Sequence, residues 1–267
     1  MKYTKVKLKN NLINKNNKSI DVIIFSASRP ELLDITLNSF KKHITFSGKL
    51  NFFLEDGDFN HANSLISKQI AIKHGIPPQN INIEKVGSYG YAITNAFSRW
   101  ITSRYIFFLE DDWECVKDIN LDHVFDCLQK YTQYNQIKFN RRDNDTHNFY
   151  VKMQHQKPYY KKYLHQLPYE VTMKVNNNIF PAIGSLHWYF NPAIWRTDFI
   201  IPRWKGFYRN VHLKTNSHEG LLPDKNRPSP EWYVKNLGVL TWNKPGTGGY
   251  FIHRGKSKSI HSKQGFV

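Results

Sequence analysis

Glu110, Asp111 and Asp112 follow directly on the apolar run YIFFL (105–109). Five residues without formal charge, mostly aromatic or branched, read as a strand buried on both faces, the kind that sits in the middle of a parallel sheet. Three carboxylates at the lip of such a strand repel one another, so the triplet predicts a positive group beside it. A solvated loop or a helix cap is the plainer reading of the same acids. A second acidic group, Glu55-Asp56-Gly57-Asp58, ends the apolar run LNFFL (50–54), where Asp-Gly is also a turn signal in any fold. A third polar group, Ser26 to Arg29, ends the run that begins at Asp21.

The elements that position these groups are legible as a series. DVIIFSAS (21–28) is a buried strand, broken by Arg29-Pro30. Pro30 at a first helical position, followed by ELLDITLNSFKKH, gives apolar Leu32, Leu33, Ile35, Leu37 and Phe40 and a basic C-terminal end, as the macrodipole prefers. LNFFL is a second strand, followed by a helix from about Ala62 to Lys73 that Gly75 stops. INIEKV (81–86) is a short third strand, and after Gly87 a helix runs through Tyr91 to Ile101. Strands alternating with helices imply right-handed crossovers and a parallel sheet with helices on both faces. Ligands of such sheets lie at the carboxyl ends of the strands. The polar groups at 26–29, 55–58 and 110–112 all fall at that edge.

Composition bounds the partners. The chain of 267 residues, 40% hydrophobic and 15% aromatic, can build a real core. No stretch approaches the roughly 20 apolar residues of a membrane span, and the lysine-rich start has no apolar leader core, so the expected location is cytoplasmic. Cys115 and Cys127 are too few for a disulfide framework. The formal charge of +17 is uneven: the first 20 residues carry six lysines and no acid. Such a field attracts nucleic acid, an anionic membrane surface or a phosphorylated small molecule. A solvated lysine coat is the bland alternative.

The order DVIIFSASRPELLDITLNSF, FFLEDGD and VGSYGYAITNAFSRWITSRYIFFLEDDW resembles the nucleotide-sugar half of the GT-A glycosyltransferases, family 2-like, over about residues 20–115. Glu110-Asp111-Asp112 is then similar to a Glu-Asp-Asp variant of the DXD motif, departing from the commonest form by opening with Glu. The resemblance implies an α/β fold of GT-A type: a Rossmann-like, mostly parallel sheet flanked by helices, with a less regular acceptor-binding C-terminal half. It divides the chain into a basic arm (1–18) and one catalytic domain (19–267), whose halves meet near 115. It also implies a nucleotide-sugar donor, UDP-sugar by family frequency, and Mn²⁺ or Mg²⁺ to neutralise the departing diphosphate. Asp112 would be the metal ligand. Glu110 or Asp111 would reach the ribose or donor sugar, Asp56 or Glu55 the base, and Ser26, Ala27 and Arg29 the base or phosphates, with Ser88 beside the same donor.

The second half must supply the acceptor site, for a glycan or other hydroxyl. A helix is expected over 121–134, with Leu121, Val124, Phe125 and Leu128 on its apolar face. Residues 136–180 interleave Arg141, Arg142, Lys152 and Lys161 with Tyr150, Tyr159 and Tyr163, a pattern that suits an acceptor, a membrane surface or a single-stranded nucleic acid groove. In FPAIGSLHWYFNPAIWRTDFI (180–200), Gly184, His187, Trp188 and Asn191-Pro192 resemble the segment lining the acceptor cleft, and Trp188 or Trp195 is a sugar platform unless it packs in the core.

Inverting transfer needs a base to take the acceptor's proton. In RPSPEWYVKNLGVL (227–240), Ser229 can cap a helix with Pro230 at its first position, which puts Glu231 in the first turn. Relatives place their catalytic acid at such a helix start, so Glu231 is the expected base, with Glu219 as rival and Asp224 behind it. Glu in a first turn is also favoured by the macrodipole alone. By the same resemblance His253 completes the metal's coordination, with Arg254 and Lys256 toward the diphosphate and His261 as second choice.

The resulting expectation is a metal-dependent glycosyltransferase, inverting, cytoplasmic with peripheral contact to an anionic membrane. Two other classes remain. A sugar-nucleotide nucleotidyltransferase also joins a metal-binding acid to a phosphate loop, but no Gly-rich, lysine-containing loop follows the first strand. A nucleic-acid-binding protein would use the basic, aromatic-rich surface.

Overall fold

The computed structural model describes residues 18–85, 89–139, 170–184, 192–210, 235, 238–242 and 249–255. Strand β1 (Ser19–Ser26) is buried along its whole length and lies between β3 (Lys49–Asp56) and β5 (Tyr105–Glu110), parallel to both. Its side chains alternate between two cores, as the period of two requires. Ile20, Val22 and Ile24 join Leu33, Leu37 and Phe40 of α1 (Pro30–His43), while Ile23 and Phe25 join Ala92, Ile93, Ala96 and Phe97 of α3 (Tyr89–Arg99). β5 divides in the same way, with Tyr105, Phe107 and Leu109 on the first face and Ile106 and Phe108 on the second. Full burial of each large apolar side chain contributes about 1.5–3 kcal/mol, which makes β1 and β5 the frame for whatever stands at their ends.

The helices begin and end for local reasons. Pro30 opens α1, with Glu31 in the first turn and Lys41, Lys42 and His43 in the last. Asn60 caps α2 (His61–Lys73) by accepting from Asn63 N at 3.2 Å. Gly75, at φ +80°, carries the chain out of it. Asn120 likewise caps α4 (Leu121–Lys130), which buries the apolar face expected from the sequence but stops four residues earlier. The buried guanidinium of Arg196 closes its far end, donating to the carbonyls of Leu128 and, at 2.6 Å, Tyr134.

The sheet runs β4-β3-β1-β5-β11-β8-β12-β10-β9, with β4 (Ile81–Ile83), β8 (Gln136–Phe139), β9 (Glu170–Val175), β10 (Asn178–Gly184), β11 (Ala193–Arg196) and β12 (Val239–Trp242). All strands point one way except β11 and β10, so it is mostly parallel. α1, α2 and α4 contribute to one core, α3 and α5 (Thr197–Asn210) to the other. Two short ribbons complete the described structure. β6 (Trp113–Cys115) pairs antiparallel with β13 (Phe251–His253), and β2 (Ile44–Thr45) pairs parallel with β7 (Ile119–Asn120).

Two expectations change. β3 continues through Glu55 and Asp56, which were expected in the turn, because Phe25 and Ser26 of β1 remain in register with them. Trp195 is not a sugar platform: in β11 it is 1% exposed and packs with Phe199 and Trp204. Both cysteines are free and buried. Among the described residues, no helix is long and apolar enough to cross a membrane.

Candidate functional site

The parallel register brings the ends of β1, β3 and β5 side by side, pairing Ser26 with Asp56 and Phe25 with Glu110. The ladder continues one step as Asp111 N donates to Phe25 O at 2.9 Å, so Asp111 turns back toward β1. There it is wholly buried. Ala27 N donates to its Oδ2 at 3.0 Å, Arg29 Nε to the same oxygen at 3.2 Å, and Arg29 Nη2 to Oδ1. Thr36 of α1 donates to its carbonyl at 2.7 Å. Burial pushes Asp111 up to about 6 even with Arg29 pulling the other way. Arg29 is itself raised above its ordinary value, because two carboxylates outweigh its burial. The positive group that the acidic triplet predicted is, within the chain, this guanidinium.

Asp112 is held differently. Its Oδ2 accepts from Arg29 Nη1 at 2.8 Å and lies 3.1 Å from His253 Nε2. Its Oδ1 is buried with no hydrogen-bond partner among the described residues. Burial would raise this carboxyl, but the His253 hydrogen bond and the charges of Arg29 and His253 hold it below the usual range. The β6–β13 ribbon makes the contact by setting His253 opposite Trp113, and Arg254 N donates to Asp112 O at 2.7 Å. Gly255 passes so closely that a Cβ there would stand 2.4 Å from Asp112 Oδ2. The Arg254 guanidinium is engaged by Glu114.

Glu110 is partly exposed; burial, then the neighbouring Asp112, raises its pKa against a hydrogen bond with Tyr89 at the start of α3. On the β3 side Asp56 is oriented by Ser64 Oγ at 2.7 Å, Asp58 N at 2.9 Å and Ser28 Oγ at 3.3 Å, all on Oδ1. Its buried Oδ2 has no partner, and the same holds for Ser26 Oγ and for Glu55 Oε2 among the described residues. Glu55 accepts from Asn82 Nδ2 at 2.8 Å, and burial pushes it up to about 8. Ser28 sits at φ 57°, a conformation a non-glycine residue adopts only under constraint, and its hydroxyl joins Asp56 and Ser64.

The described structure thus gathers Ser26, Ala27, Arg29, Glu55, Asp56, Glu110, Asp111, Asp112 and His253 at one edge. Ser88, Glu219, Asp224, Glu231, Trp188, Lys256 and His261 lie outside the described residues, as do the basic arm up to 17 and most of the aromatic-basic stretch. Ser28, within the polar group 26–29 expected at this edge, belongs to the site, and so do Ser64, Tyr89 and Gly255, which no sequence signal marks. The serines follow a strand or open a helix, positions where a hydroxyl usually serves the local backbone, and only the fold shows that they aim at Asp56. Among the described residues no three His, Cys, Asp or Glu side chains converge as a ready metal cage. Asp112 and His253 do offer an unpartnered carboxylate oxygen beside an imidazole, a donor set that fits a divalent ion completed by phosphate oxygens.

No protein-family model and no curated protein matches the chain. Among the solved structures that share its architecture are two with a TM-score of at least 0.50. One is the mannosyltransferase PcManGT from Pyrobaculum calidifontis, in complex with GDP-Man and Mn²⁺, at 11% identity and a TM-score of 0.52 over 91% of this chain and 59% of that one. The other is S. aureus TarS 1-349, at 12% identity and a TM-score of 0.50 over 88% of this chain and 60% of that one. At these identities the likeness concerns architecture: the chain has the GT-A fold, an α/β, mostly parallel sheet flanked by helices.

Proposed function

We propose that the chain is a glycosyltransferase that moves a sugar from a nucleotide-sugar donor to a glycan or other hydroxyl acceptor. One observation carries the reading: Asp56 at the end of β3 and Asp112 just past the end of β5, on the two sides of β1, each keep one buried carboxylate oxygen without a partner among the described residues while the other is held fast. Oriented, half-satisfied carboxylates at the carboxyl edge of a parallel sheet suit a base at one point and a metal-bound diphosphate at another. The fold shared with a mannosyltransferase solved with GDP-Man and Mn²⁺ supports the same assignment.

Asp112 and His253 would hold the divalent ion, which when bound neutralises charge developing on the departing diphosphate. Asp56 Oδ2, with Glu55 behind it, would accept from the base. Asp111 has its oxygens taken up by Arg29 and Ala27, so contact with the ribose or donor sugar passes to Glu110. Arg29 keeps Asp112 oriented and adds positive charge at the mouth, Ser26 would contact the donor, and the same role is proposed for Ser88 from its place in the sequence. In the transfer, the acceptor oxygen forms its bond to the anomeric carbon as the bond to the diphosphate breaks, and the acceptor proton passes to a carboxylate. Glu231 takes that role in this reading, with Glu219 as alternative, and inversion follows from a single displacement. A UDP-sugar is the proposed donor.

The test is turnover of a panel of UDP-, GDP-, dTDP- and CMP-sugars with Mn²⁺, following release of the nucleotide. Release from one donor, lost in Asp112→Asn and Glu231→Gln, supports the assignment. Release unaffected by either variant, or from none of the donors, overturns it.

A further inference from the structure

Away from this cleft, the described residues enclose a second groove of about 560 Å³, within the roughly 300–1,000 Å³ of small-ligand sites. One wall is a stack of rings. His123 of α4 lies tilted at 39° beside Phe180 of β10 at 4.7 Å between centroids, and Phe180 stacks on Trp242 of β12 at 5.3 Å and 26°. The other side is polar, with Lys42 and His43 at the end of α1 and Asp118 just before β7. His43 Nδ1 lies 2.7 Å from Asp118 Oδ1, and the Asp118 side chain is 90% exposed.

An aromatic wall beside a rim of mixed donors and acceptors matches the two aspects of a pyranose, whose C–H face is apolar and whose edge is hydroxylated. A phosphorylated guest fits poorly: no arginine lines the groove among the described residues, and the exposed Asp118 carboxylate stands beside it. A wholly apolar guest would strip water from the lysine, histidine and aspartate without replacing it.

The groove is also tied to the cleft. Tyr250 lines it and immediately precedes β13, whose last residue, His253, stands beside Asp112. At about 3.3 Å per residue, Tyr250 stands roughly 10 Å from His253, more than one sugar ring, and the Lys42–His43 rim lies further off, at the opposite end of α1 from Arg29. We propose that this groove is a carbohydrate subsite that holds a sugar of the acceptor chain remote from the reacting hydroxyl. Its service to an acceptor rests on the glycosyltransferase reading; its affinity for carbohydrate does not.

The experiment is saturation-transfer NMR with cellopentaose, chitopentaose and mannopentaose, in the absence of nucleotide, on the full chain and on His123→Ala, Phe180→Ala, Asp118→Ala and Asp112→Asn. UDP and GDP binding with Mn²⁺ is measured on the same samples. The expected result is one pentasaccharide bound by wild type and Asp112→Asn alike, and weakened roughly tenfold, or about 1.4 kcal/mol, in His123→Ala and Phe180→Ala. Asp118→Ala, at an exposed side chain, carries the test if Phe180→Ala melts early. Binding unchanged by the groove variants, binding lost only in Asp112→Asn, or no pentasaccharide bound overturns the subsite. Groove-dependent binding without any nucleotide binding keeps the subsite and removes the transferase reading.

Discussion

Arg29 lies across Asp111 and Asp112, donating through Nε to Asp111 at 3.2 Å and through Nη1 to Asp112 at 2.8 Å. One side chain thereby neutralises a buried acid and orients its neighbour. Arg29→Met leaves Asp111 buried without its cation, so the carboxyl either stays charged at a desolvation cost or takes up a proton, and breaking such a pair costs about 3–5 kcal/mol. Arg29→Lys recovers only part of that, since a point charge does not reproduce the fork. Pairing Arg29→Met with Asp111→Leu should restore much of the loss. Urea denaturation of the three single variants and the pair checks the cycle, and additive losses would refute the coupling.

Gly255→Ala tests the geometry around Asp112. Its Cβ would stand 2.4 Å from Asp112 Oδ2 and 3.0 Å from His253 Cε1, and Asp112 is pinned by Arg29. Displacing an oriented ligand lowers metal affinity by about 10–100-fold. Mn²⁺ titration followed by electron paramagnetic resonance should show that loss with the melting temperature little changed.

Glu55 sets a pH dependence. Its folded pKa is raised from 4.5 to about 8 by burial, so between these values the folded chain keeps a proton that the unfolded chain has released. By linkage, stability from this group is present below pH 4.5 and is lost as pH rises toward 8. Glu55→Gln should flatten that fall, gaining stability at pH 8 relative to wild type and little at pH 5. Chemical denaturation at both values measures it, and parallel pH profiles would remove Glu55 as the source.

Asp21 anchors the opposite end of β1. Wholly buried, it accepts from Thr102 N and Ser103 N, each at 2.7 Å, and from the hydroxyls of both residues. Leaving even one such donor unmatched costs about 1–3 kcal/mol, so Asp21→Ala should be among the most destabilising single changes. Ligand affinity, measured well below its melting temperature, should stay at the wild-type value.

The strand-turn-helix series from 19 to 110 could be read from the chain because each element carries a local signal: an apolar run, Pro30 at a helix start, Gly75 at a helix stop. Strand ends at one edge follow from parallel pairing, so the gathering of acids there was legible too. The Arg29–Asp111 pair was not, because its partners are 82 residues apart and an arginine after a strand equally suits a phosphate. The place of β11, antiparallel between β5 and β8, was hidden for a similar reason. AIWR has no alternation to mark a strand that is buried on both faces, and the choice between core packing and a sugar platform for Trp195 falls to the core only once its neighbours are known.

The most direct test of the account is thermal unfolding with UDP, GDP, dTDP and CDP, each with and without Mn²⁺, on wild type and Asp112→Asn. Ligand at a hundredfold its dissociation constant stabilises by about 2.7 kcal/mol, and each kcal/mol raises the melting temperature of a chain this size by about 2–4 °C. The account predicts that one nucleotide raises it by several degrees only with Mn²⁺, and that Asp112→Asn abolishes the rise. No shift with any nucleotide, or an equal shift in Asp112→Asn, would contradict it.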